Sequence, residues 1–233
     1  MVRLLLDQSI TMPRIARIVI EGLPHHVTQR GNNRAEVFFG NSDREFYLRT
    51  LKEKAREHAL DIIGYCLMPN HVHLVVIPKQ SDSLALGIGR THYLHSQRVN
   101  YHQDRIGHLW QGRFFSCPLG DTHYWNALAY TERNPVRAKL VNKPWEYPWS
   151  SAAAHVGEGG AGGLLDLDKW GKSSMSGQWK SFLLKSMDEE EIERLRMCTR
   201  QGRPWASDEF LDQLEKDLGH SVRAQSVGRP RKL

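Results

Sequence analysis

The sequence lacks the cysteine patterns that define two common kinds of small domain. Its three cysteines, Cys66, Cys117 and Cys198, lie far apart, and none of them forms a C-x-x-C spacing. An odd number of scattered cysteines indicates neither a disulfide framework nor a zinc site built on thiolates. A reducing compartment is therefore expected, and the protein is predicted to be cytoplasmic.

Long apolar runs are missing as well. The longest one near the N-terminus is Leu4-Leu5-Leu6, whereas a membrane span needs about 20 consecutive apolar residues. The sequence also has no G-x-x-x-x-G-K-[ST] loop of the kind that cradles nucleotide phosphates. We therefore expect neither a membrane partner nor a nucleotide cofactor.

What the sequence does contain describes a basic globular protein. The chain has 233 residues, of which 40% are hydrophobic, so it can bury the core of one large domain. Its formal net charge is +6 and its pI is about 9.3. This balance favours polyanionic partners, of which nucleic acid is the most common.

The order of the patterned segments predicts an α+β fold. Helical spacing occurs over about 42–59, after the capping-box pattern at Ser42–Glu45, and from 81–83 to about residue 101. Runs typical of strands occupy 15–30, 61–68, 71–78 and 112–119. The alternation of strand, helix, strand, strand, helix and strand is that of a ferredoxin-like (split βαβ, RRM-like) antiparallel sheet with helices on one face.

Changes in composition predict the domain boundaries. The stretch AAAHVGEGGAGG is rich in glycine and has no apolar periodicity, whereas DEEEIERLRMCT and SDEFLDQLEKDL have the pattern of short amphipathic helices. These two predicted helices form a small helical C-terminal extension. We expect a disordered leader over 1–11, the main domain over 12–156, a linker or loop region over 157–187, the helical extension over 188–219 and a basic tail over 220–233.

Two histidines interrupt the apolar strand of YCLMPNHVHLVVIPK. His71 and His73 are two residues apart, so their side chains project from the same face of the strand. An isolated His-x-His on a strand is also compatible with two ordinary polar residues on an exposed face. A metal site would require at least one further ligand.

A third predicted helix, from Asp121 to Asn134, supplies candidates for that ligand and for a nucleophile. At about 100° per residue, Tyr130 and Asn134 fall on the side opposite the apolar face that contains Leu128. A tyrosine off the apolar stripe is less easily explained as core, and an amide oxygen is an acceptable hard ligand. Asn134 could equally be a helix terminator before Pro135, which should end or kink the helix.

Several motifs occur in the order and with the separations of a known family. The segments HHVTQRGNNR, YCLMPNHVHLVV, HLWQGRF and AYTERNPVRAKLV together resemble the REP-associated tyrosine transposases, which are IS200-like, single-tyrosine HUH transposases. The resemblance implies that His71, His73 and Asn134 bind Mg²⁺ or Mn²⁺ and that Tyr130 is the nucleophile. It further implies cleavage of single-stranded DNA at hairpins or palindromic repeats through a 5′-phosphotyrosine.

Residues around these motifs are candidates for DNA contacts. Tryptophan can stack on unpaired bases and arginine can bind phosphates, although exposed arginines often serve only solubility and tryptophans often pack a core. The arginines of the GRPRK tail resemble minor-groove hooks, or they belong to a solvated end. The candidates are Arg30, Arg34, Arg113, Arg137, Trp110, Arg229 and Arg231.

Two other functions fit parts of the pattern. A non-catalytic RRM-like nucleic-acid-binding protein would share the sheet order, but GRFFSCPL matches the aromatic RNA-binding signature poorly. An HUH replication initiator or relaxase would share the chemistry, and only the surrounding motifs favour a transposase. A monomer is favoured on account of the C-terminal extension, and a dimer stays open.

Overall fold

The sheet has the strand order that the sequence predicts. A computed structural model of the chain describes residues 17–160 and 162–225. The order in the sheet is β2-β3-β1-β4, and every neighbouring pair is antiparallel. This is the ferredoxin-like arrangement, so the predicted fold class is confirmed. The strands are β1 (His25–Arg30), β2 (Leu60–Met68), β3 (His71–Pro78) and β4 (Phe115–Pro118).

The helices occupy the expected parts of the chain, with some differences in detail. A π-helical turn, Leu84–Ile88, precedes the second helix, in the segment whose glycines weaken an α-helix. Among the described residues, no helix is long and apolar enough to cross a membrane. The α-helices are α1 (Asn41–Glu57), α2 (Gly89–His102), α3 (Asp121–Glu132), α4 (Asn134–Arg137), α5 (Ala152–His155), α6 (Leu167–Gly171), α7 (Trp179–Leu184), α8 (Glu189–Gln201) and α9 (Asp208–Leu218).

The first helix begins without the predicted capping box. Its N-cap is Gly40, which offers no side-chain hydrogen bond. Instead the Asp43 carboxylate accepts a hydrogen bond from the backbone N–H of Phe39 at 2.9 Å. An acidic side chain in the first turn also suits the helix dipole, so one carboxylate stabilises this end of the helix in place of the predicted pair.

Both faces of the sheet are covered, whereas the sequence predicted helices on one face. Val72 and Leu74 of β3 pack in a core cluster with Leu51 of α1. On the opposite face, Val75 packs in a second cluster with Leu128 of α3 and with residues of α7 and α8. The histidines of β3 share the face of Val75 because side chains alternate along a strand.

A glycine lets α3 approach the sheet closely. A Cβ atom added at Gly64 in β2 would lie 2.3 Å from Cδ1 of Leu128 and 3.1 Å from Oγ of Ser151. The first distance is far below van der Waals contact and the second is slightly short, so a larger residue would require the Leu128 side chain to move. Gly64 therefore leaves room for the side chain with which α3 packs on the sheet.

A buried carboxylate joins the end of α3 to the region after residue 150. Glu132 is fully buried, and its oxygens accept hydrogen bonds from Ser151 Oγ at 2.5 Å, His155 Nδ1 at 2.6 Å and Trp179 Nε1 at 2.8 Å. Three donors compensate for the loss of hydration, which would otherwise make a buried carboxylate costly. This network holds α3, α5 and α7 together.

The stretch predicted as a linker or loop region, 157–187, contains two short α-helices and part of the core. Trp179 is fully buried, and Trp170 packs beside it with ring centroids 5.3 Å apart. The start of AAAHVGEGGAGG is likewise not open loop, since Ala152–His155 is a short helix with buried residues. The sequence shows no periodicity here because a few large aromatic side chains, rather than a continuous apolar stripe, make the contacts.

The helical extension packs against the sheet. Ile192 and Leu195 of α8 belong to the core cluster that contains Val75 and Cys117 of the sheet. The Asp188 side chain accepts a hydrogen bond from the N–H of Glu190 at the start of α8, and Gly202, with φ +66°, ends the helix. The helix predicted over 188–199 thus begins and ends within two residues of its observed bounds.

Buried neutral histidines should make the fold sensitive to mild acid. Burial lowers the pKa of His92 to about 3 and those of His25 and His95 to about 4, although Asp43 opposes the shift at His95. Below about pH 6.5 the unfolded chain binds protons that the folded chain cannot, so stability falls as pH falls. Between pH 7.5 and 5.5 we expect a loss of about 1.4 kcal/mol for each of these three histidines.

Urea unfolding at the two pH values tests this expectation. His92→Gln should reduce the loss of stability between the two pH values by about 1.4 kcal/mol, the share of this one histidine, whatever it does to stability at pH 7.5. His102→Gln, at an exposed position of the same helix, is the matched control and should leave the pH dependence unchanged. Equal free energies of unfolding at pH 7.5 and 5.5 for the unmodified chain would contradict the expectation.

Candidate active site

The two histidines of β3 lie together on the face of the sheet that α3 covers. The ring centroids of His71 and His73 are 5.0 Å apart, and the rings are nearly perpendicular. His73 is buried and His71 is half-buried. Alternation along the strand therefore puts both imidazoles on one face, in a sheltered location where His73 contacts Tyr130.

Each of these imidazoles has its Nδ1 atom engaged. His71 Nδ1 lies 2.6 Å from Oδ1 of Asn70, and His73 Nδ1 lies 2.9 Å from Nε2 of His26. The Nε2 atoms of His71 and His73 bond to no group in the described part of the chain. A metal-binding histidine typically donates from one ring nitrogen and ligates through the other, and this pair has that arrangement.

Tyr130 of α3 lies edge-on against the imidazoles of His73 and His26. Its ring centroid is 5.5 Å from that of His73 and 5.8 Å from that of His26. Only 4% of Tyr130 is exposed, because the side of α3 that the sequence assigned away from the core also packs against the sheet. Tyr130 therefore belongs to the same buried apolar cluster as Leu128, contrary to its predicted place off the apolar face, and it meets the two imidazoles within that cluster.

Two arginines cover the tyrosine on its other sides. The guanidinium carbon of Arg137 lies 4.6 Å from the centre of the Tyr130 ring. Arg196 of α8 donates from Nε to the Tyr130 hydroxyl oxygen at 3.3 Å. Burial lowers the pKa of Arg196, but its bonds with Tyr130 and Glu193 outweigh that effect and leave the pKa raised.

Asn134 begins a new helical turn where α3 stops. The helix ends at Glu132 and resumes at Asn134, so the break predicted from Pro135 is present. Asn134 Nδ2 donates to the carbonyl oxygens of Tyr130 at 2.9 Å and Thr131 at 3.4 Å. This orientation leaves Oδ1 available as a ligand, so a role at the helix end and a role in metal binding are compatible.

The electrostatics keep the imidazoles neutral and ready to ligate. Burial lowers the pKa of His71 to about 4, and the positive charges of Arg30 and Arg137 lower it further. Burial also holds the pKa of His73 well below its ordinary value, with added contributions from His71 and His26. Neutral imidazole is the form that binds metals.

The chemistry of these side chains is compatible with a divalent cation. Within residues 17–160 and 162–225, no three His, Cys, Asp or Glu side chains cluster as a metal site. The available donors are therefore two imidazole nitrogens and one amide oxygen, which leaves room for oxygens from water or substrate. Such a mixed set suits Mn²⁺, and Mg²⁺ with more of its waters retained.

The arginines predicted to contact DNA differ in their distance from the histidines. Arg30 and Arg137 are exposed and close enough to His71 and His73 to influence their titration. Arg34 and Arg113 are exposed, and Arg34 meets the site only through its backbone carbonyl oxygen, which accepts a hydrogen bond from Asn70 Nδ2 at 3.0 Å. Arg229 and Arg231 lie outside the described residues.

The proposed stacking role of Trp110 is wrong. Its side chain packs against His92 with ring centroids 4.8 Å apart, and its Nε1 donates to the His92 carbonyl oxygen at 3.1 Å. Only 8% of the residue is exposed, so it cannot stack on a base without leaving the core. The motif HLWQGRF reflects packing at this position.

Sequence reasoning missed three residues of the site. His26 lies in the motif HHVTQRG. Val27, the next residue of β1, faces the core on the opposite side of the sheet, so alternation along the strand could have placed His26 on the face of His71 and His73. Arg196 and Thr199 lie on α8, far along the chain. Their spacing of three residues puts them on one face of that helix, but no sequence signal connects that face with the sheet.

Part of the chain matches a known protein family. The family described as "Transposase IS200 like" matches residues 20–134. That segment includes β1, the strand with both histidines, and α3 through Asn134. This segment matches the IS200-like transposase family, and the match supports a transposase as the class of protein. No curated protein matches the chain.

One solved structure supports the same fold. A REP-associated tyrosine transposase bound to a REP hairpin matches with a TM-score of 0.51 and 19% identity, over 67% of this chain and 90% of that one. A putative transposase from Deinococcus radiodurans R1 matches with a TM-score of 0.37 and 16% identity, over 54% of this chain and 91% of that one. At 19% identity, the first match shows similarity of fold.

Proposed function

We propose that the chain is a metal-dependent single-stranded DNA endonuclease and strand transferase that acts through a covalent 5′-phosphotyrosine. The observation that supports this most strongly is the position of Tyr130. Its ring lies against the imidazoles of His26 and His73, and its hydroxyl oxygen accepts a hydrogen bond from Arg196. Packing in the core accounts for the burial of the ring, but it does not require a guanidinium at the hydroxyl, and that contact supports a chemical role.

His71, His73 and Asn134 would hold the cation, through Nε2 of each histidine and Oδ1 of the asparagine. A bound Mg²⁺ or Mn²⁺ would polarise the scissile phosphate as a Lewis acid. Arg30 and Arg137 are suited to orient the adjacent phosphates by charge. These positive side chains would attract the DNA backbone, and no acidic ligand among the proposed three would repel it.

Tyr130 would then attack phosphorus in line with the 3′ oxygen. The bond from its oxygen to phosphorus forms as the bond from phosphorus to the 3′ oxygen breaks, giving a 5′-phosphotyrosine and a free 3′-OH. The hydroxyl proton leaves to water, and the leaving 3′ oxygen takes up a proton. Because the ester is conserved in the protein–DNA bond, a 3′-OH can reverse the step and rejoin strands without ATP.

The proposed partner is single-stranded DNA that folds into a hairpin or palindromic structure. The solved transposase with this fold is bound to a REP hairpin, and the present chain has a net charge of +6. We expect a single strand with a short imperfect hairpin to bind more tightly than perfect duplex at physiological salt. The monomeric state favoured on sequence grounds remains part of this proposal.

Competition binding with labelled oligonucleotides tests the partner. The hairpin strand and a perfect duplex of the same sequence are compared at several salt concentrations. Non-specific contacts with phosphates weaken as salt rises, so high salt reveals any preference for the shape of the hairpin. The hairpin should keep its advantage as salt rises. Equal affinity for hairpin and duplex would contradict the proposed partner while leaving the cleavage chemistry open to its own tests.

Arg196 should contribute to the chemical step. The guanidinium can stabilise negative charge on the Tyr130 oxygen as the proton leaves, and loss of one such donor typically costs about 100- to 1,000-fold in rate. Arg196→Gln should therefore slow adduct formation by about that factor with little change in DNA affinity. Quenched-flow or gel assays of the adduct under single-turnover conditions measure this rate.

Arg200→Gln is the matched control for that variant. Arg200 lies one turn further along α8, also pairs with Glu193, and its side chain is 67% exposed. Its loss should leave the rate of adduct formation nearly unchanged. A similar slowing in both variants would show that the general charge of α8, rather than the bond to Tyr130, matters.

A further inference from the structure

A chain of buried hydrogen bonds runs from β3 through β1 to α8. His73 Nδ1 lies 2.9 Å from His26 Nε2, and His26 Nδ1 lies 2.9 Å from Oγ1 of Thr199. His26 and Thr199 are each 2% exposed, and His73 is 6% exposed. Water therefore has little access to replace any member of this chain.

We propose that Thr199 is a positioning residue for the metal site and acts on His73 through His26. This inference rests on the proposed function, because it assigns His73 as a metal ligand. It extends that proposal by making α8, which lies in the C-terminal extension, a working part of the active site. Thr199 touches neither substrate nor cation, and its role is to fix the tautomer and orientation of two imidazoles.

Each neutral imidazole has a single ring proton, which it can place on only one of its two nitrogens. If His73 ligates through Nε2, its proton is on Nδ1, and His26 Nε2 must accept it. The only proton of His26 is then on Nδ1, where the Thr199 hydroxyl accepts it. Each ring nitrogen of His73 and His26 thus has one defined role. The series of hydrogen bonds ends at the Thr199 hydroxyl, which can accept a hydrogen bond.

Removing the hydroxyl would favour the opposite arrangement. With no acceptor at position 199, the buried Nδ1–H of His26 would be unsatisfied. The His26 proton is then better placed on Nε2, from which it donates to His73 Nδ1. The His73 proton moves to Nε2, the atom needed for the cation, so metal binding must first displace it.

A second contact from the same helix supports the inference. Arg196 precedes Thr199 by three residues, so both project from one face of α8. Arg196 bonds to the Tyr130 hydroxyl, whereas Thr199 bonds to His26. One helical face thus reaches both the nucleophile and the histidine network.

Calorimetric titration of the full chain with Mn²⁺ alone tests the proposal without DNA or turnover. Thr199→Val keeps the side-chain shape but removes the hydroxyl, and it should weaken Mn²⁺ binding by about 10- to 100-fold. Thr199→Ser restores the hydroxyl and should bind within a few-fold of the unmodified chain. Unchanged Mn²⁺ affinity in Thr199→Val would overturn the relay.

Two further variants separate the possible failures. Thr91→Val is the matched control, because Thr91 is fully buried and its hydroxyl donates to the Gly87 carbonyl oxygen at 2.7 Å within a helix. It should leave Mn²⁺ binding unchanged. His73→Gln should remove binding. If His73→Gln has no effect, the proposed metal site fails, whereas loss in His73→Gln without loss in Thr199→Val rejects the relay alone.

Nitrogen-15 spectra of the histidine rings give a test that needs no variant. In the unmodified protein with Mg²⁺, the relay requires protons on Nδ1 of both His73 and His26. A proton on Nε2 of His26 would overturn the proposal even if Thr199→Val failed to fold.

Discussion

Tyr130→Phe should abolish covalent attachment to DNA and leave DNA binding intact. The change removes only the hydroxyl, which is the nucleophile in the proposed reaction, so adduct formation should fall at least about a thousandfold. If the tyrosine only packs, loss of its hydrogen bond with Arg196 would cost about 0.5–1.5 kcal/mol of stability and no activity. A denaturing gel of protein with labelled hairpin DNA and Mn²⁺ measures the adduct.

Tyr124→Phe is the control for this experiment. Tyr124 lies on the same helix and is partly buried, and it packs against Trp125 with ring centroids 4.3 Å apart. Its variant should form the adduct at the rate of the unmodified chain. Persistence of the adduct in Tyr130→Phe would place the nucleophile elsewhere, with Tyr93, Tyr101 and Tyr124 as the first residues to examine.

Loss of either histidine of β3 should also abolish cleavage. One imidazole with Asn134 holds a hard cation poorly, so His71→Ala and His73→Ala should lower metal-dependent cleavage by at least about 100-fold. His73→Gln keeps a polar side chain of similar length and separates loss of the ligand from a cavity in the core. Asn134→Ala should be milder, because water can replace a neutral ligand.

His102→Ala controls for general effects of removing a histidine, since His102 is exposed at the end of α2. Its cleavage rate should not change. All variants are assayed across a range of Mn²⁺ and Mg²⁺ concentrations and with a chelator. Cleavage that continues in the chelator would contradict a metal-dependent reaction and remove the role assigned to both histidines.

The core of the site could be predicted from the sequence because it depends on local geometry. His71 and His73 are two residues apart on a strand, and the period of the pleat alone puts them on one side. Asn134 precedes Pro135, so both the break in the helix and the position of the amide follow from the chemistry of proline.

The surroundings of the tyrosine could not be predicted in the same way. Arg196 and Thr199 reach the site because α8 packs on the sheet, and the amphipathic pattern of α8 shows that it needs a partner but not which one. Trp110 illustrates the opposite error: a motif beside the site suggested stacking on a base, whereas burial against His92 decides its role. Long-range packing, rather than local pattern, determines all three positions.

Mapping the site of covalent attachment tests the central claim most directly. The unmodified chain is incubated with Mn²⁺ and a hairpin substrate labelled on the 3′ side of the break, then digested and analysed by mass spectrometry. The proposed reaction predicts a peptide that carries the label through a 5′-phosphate on Tyr130. Metal-dependent cleavage with no adduct on any tyrosine would contradict it and indicate water as the nucleophile.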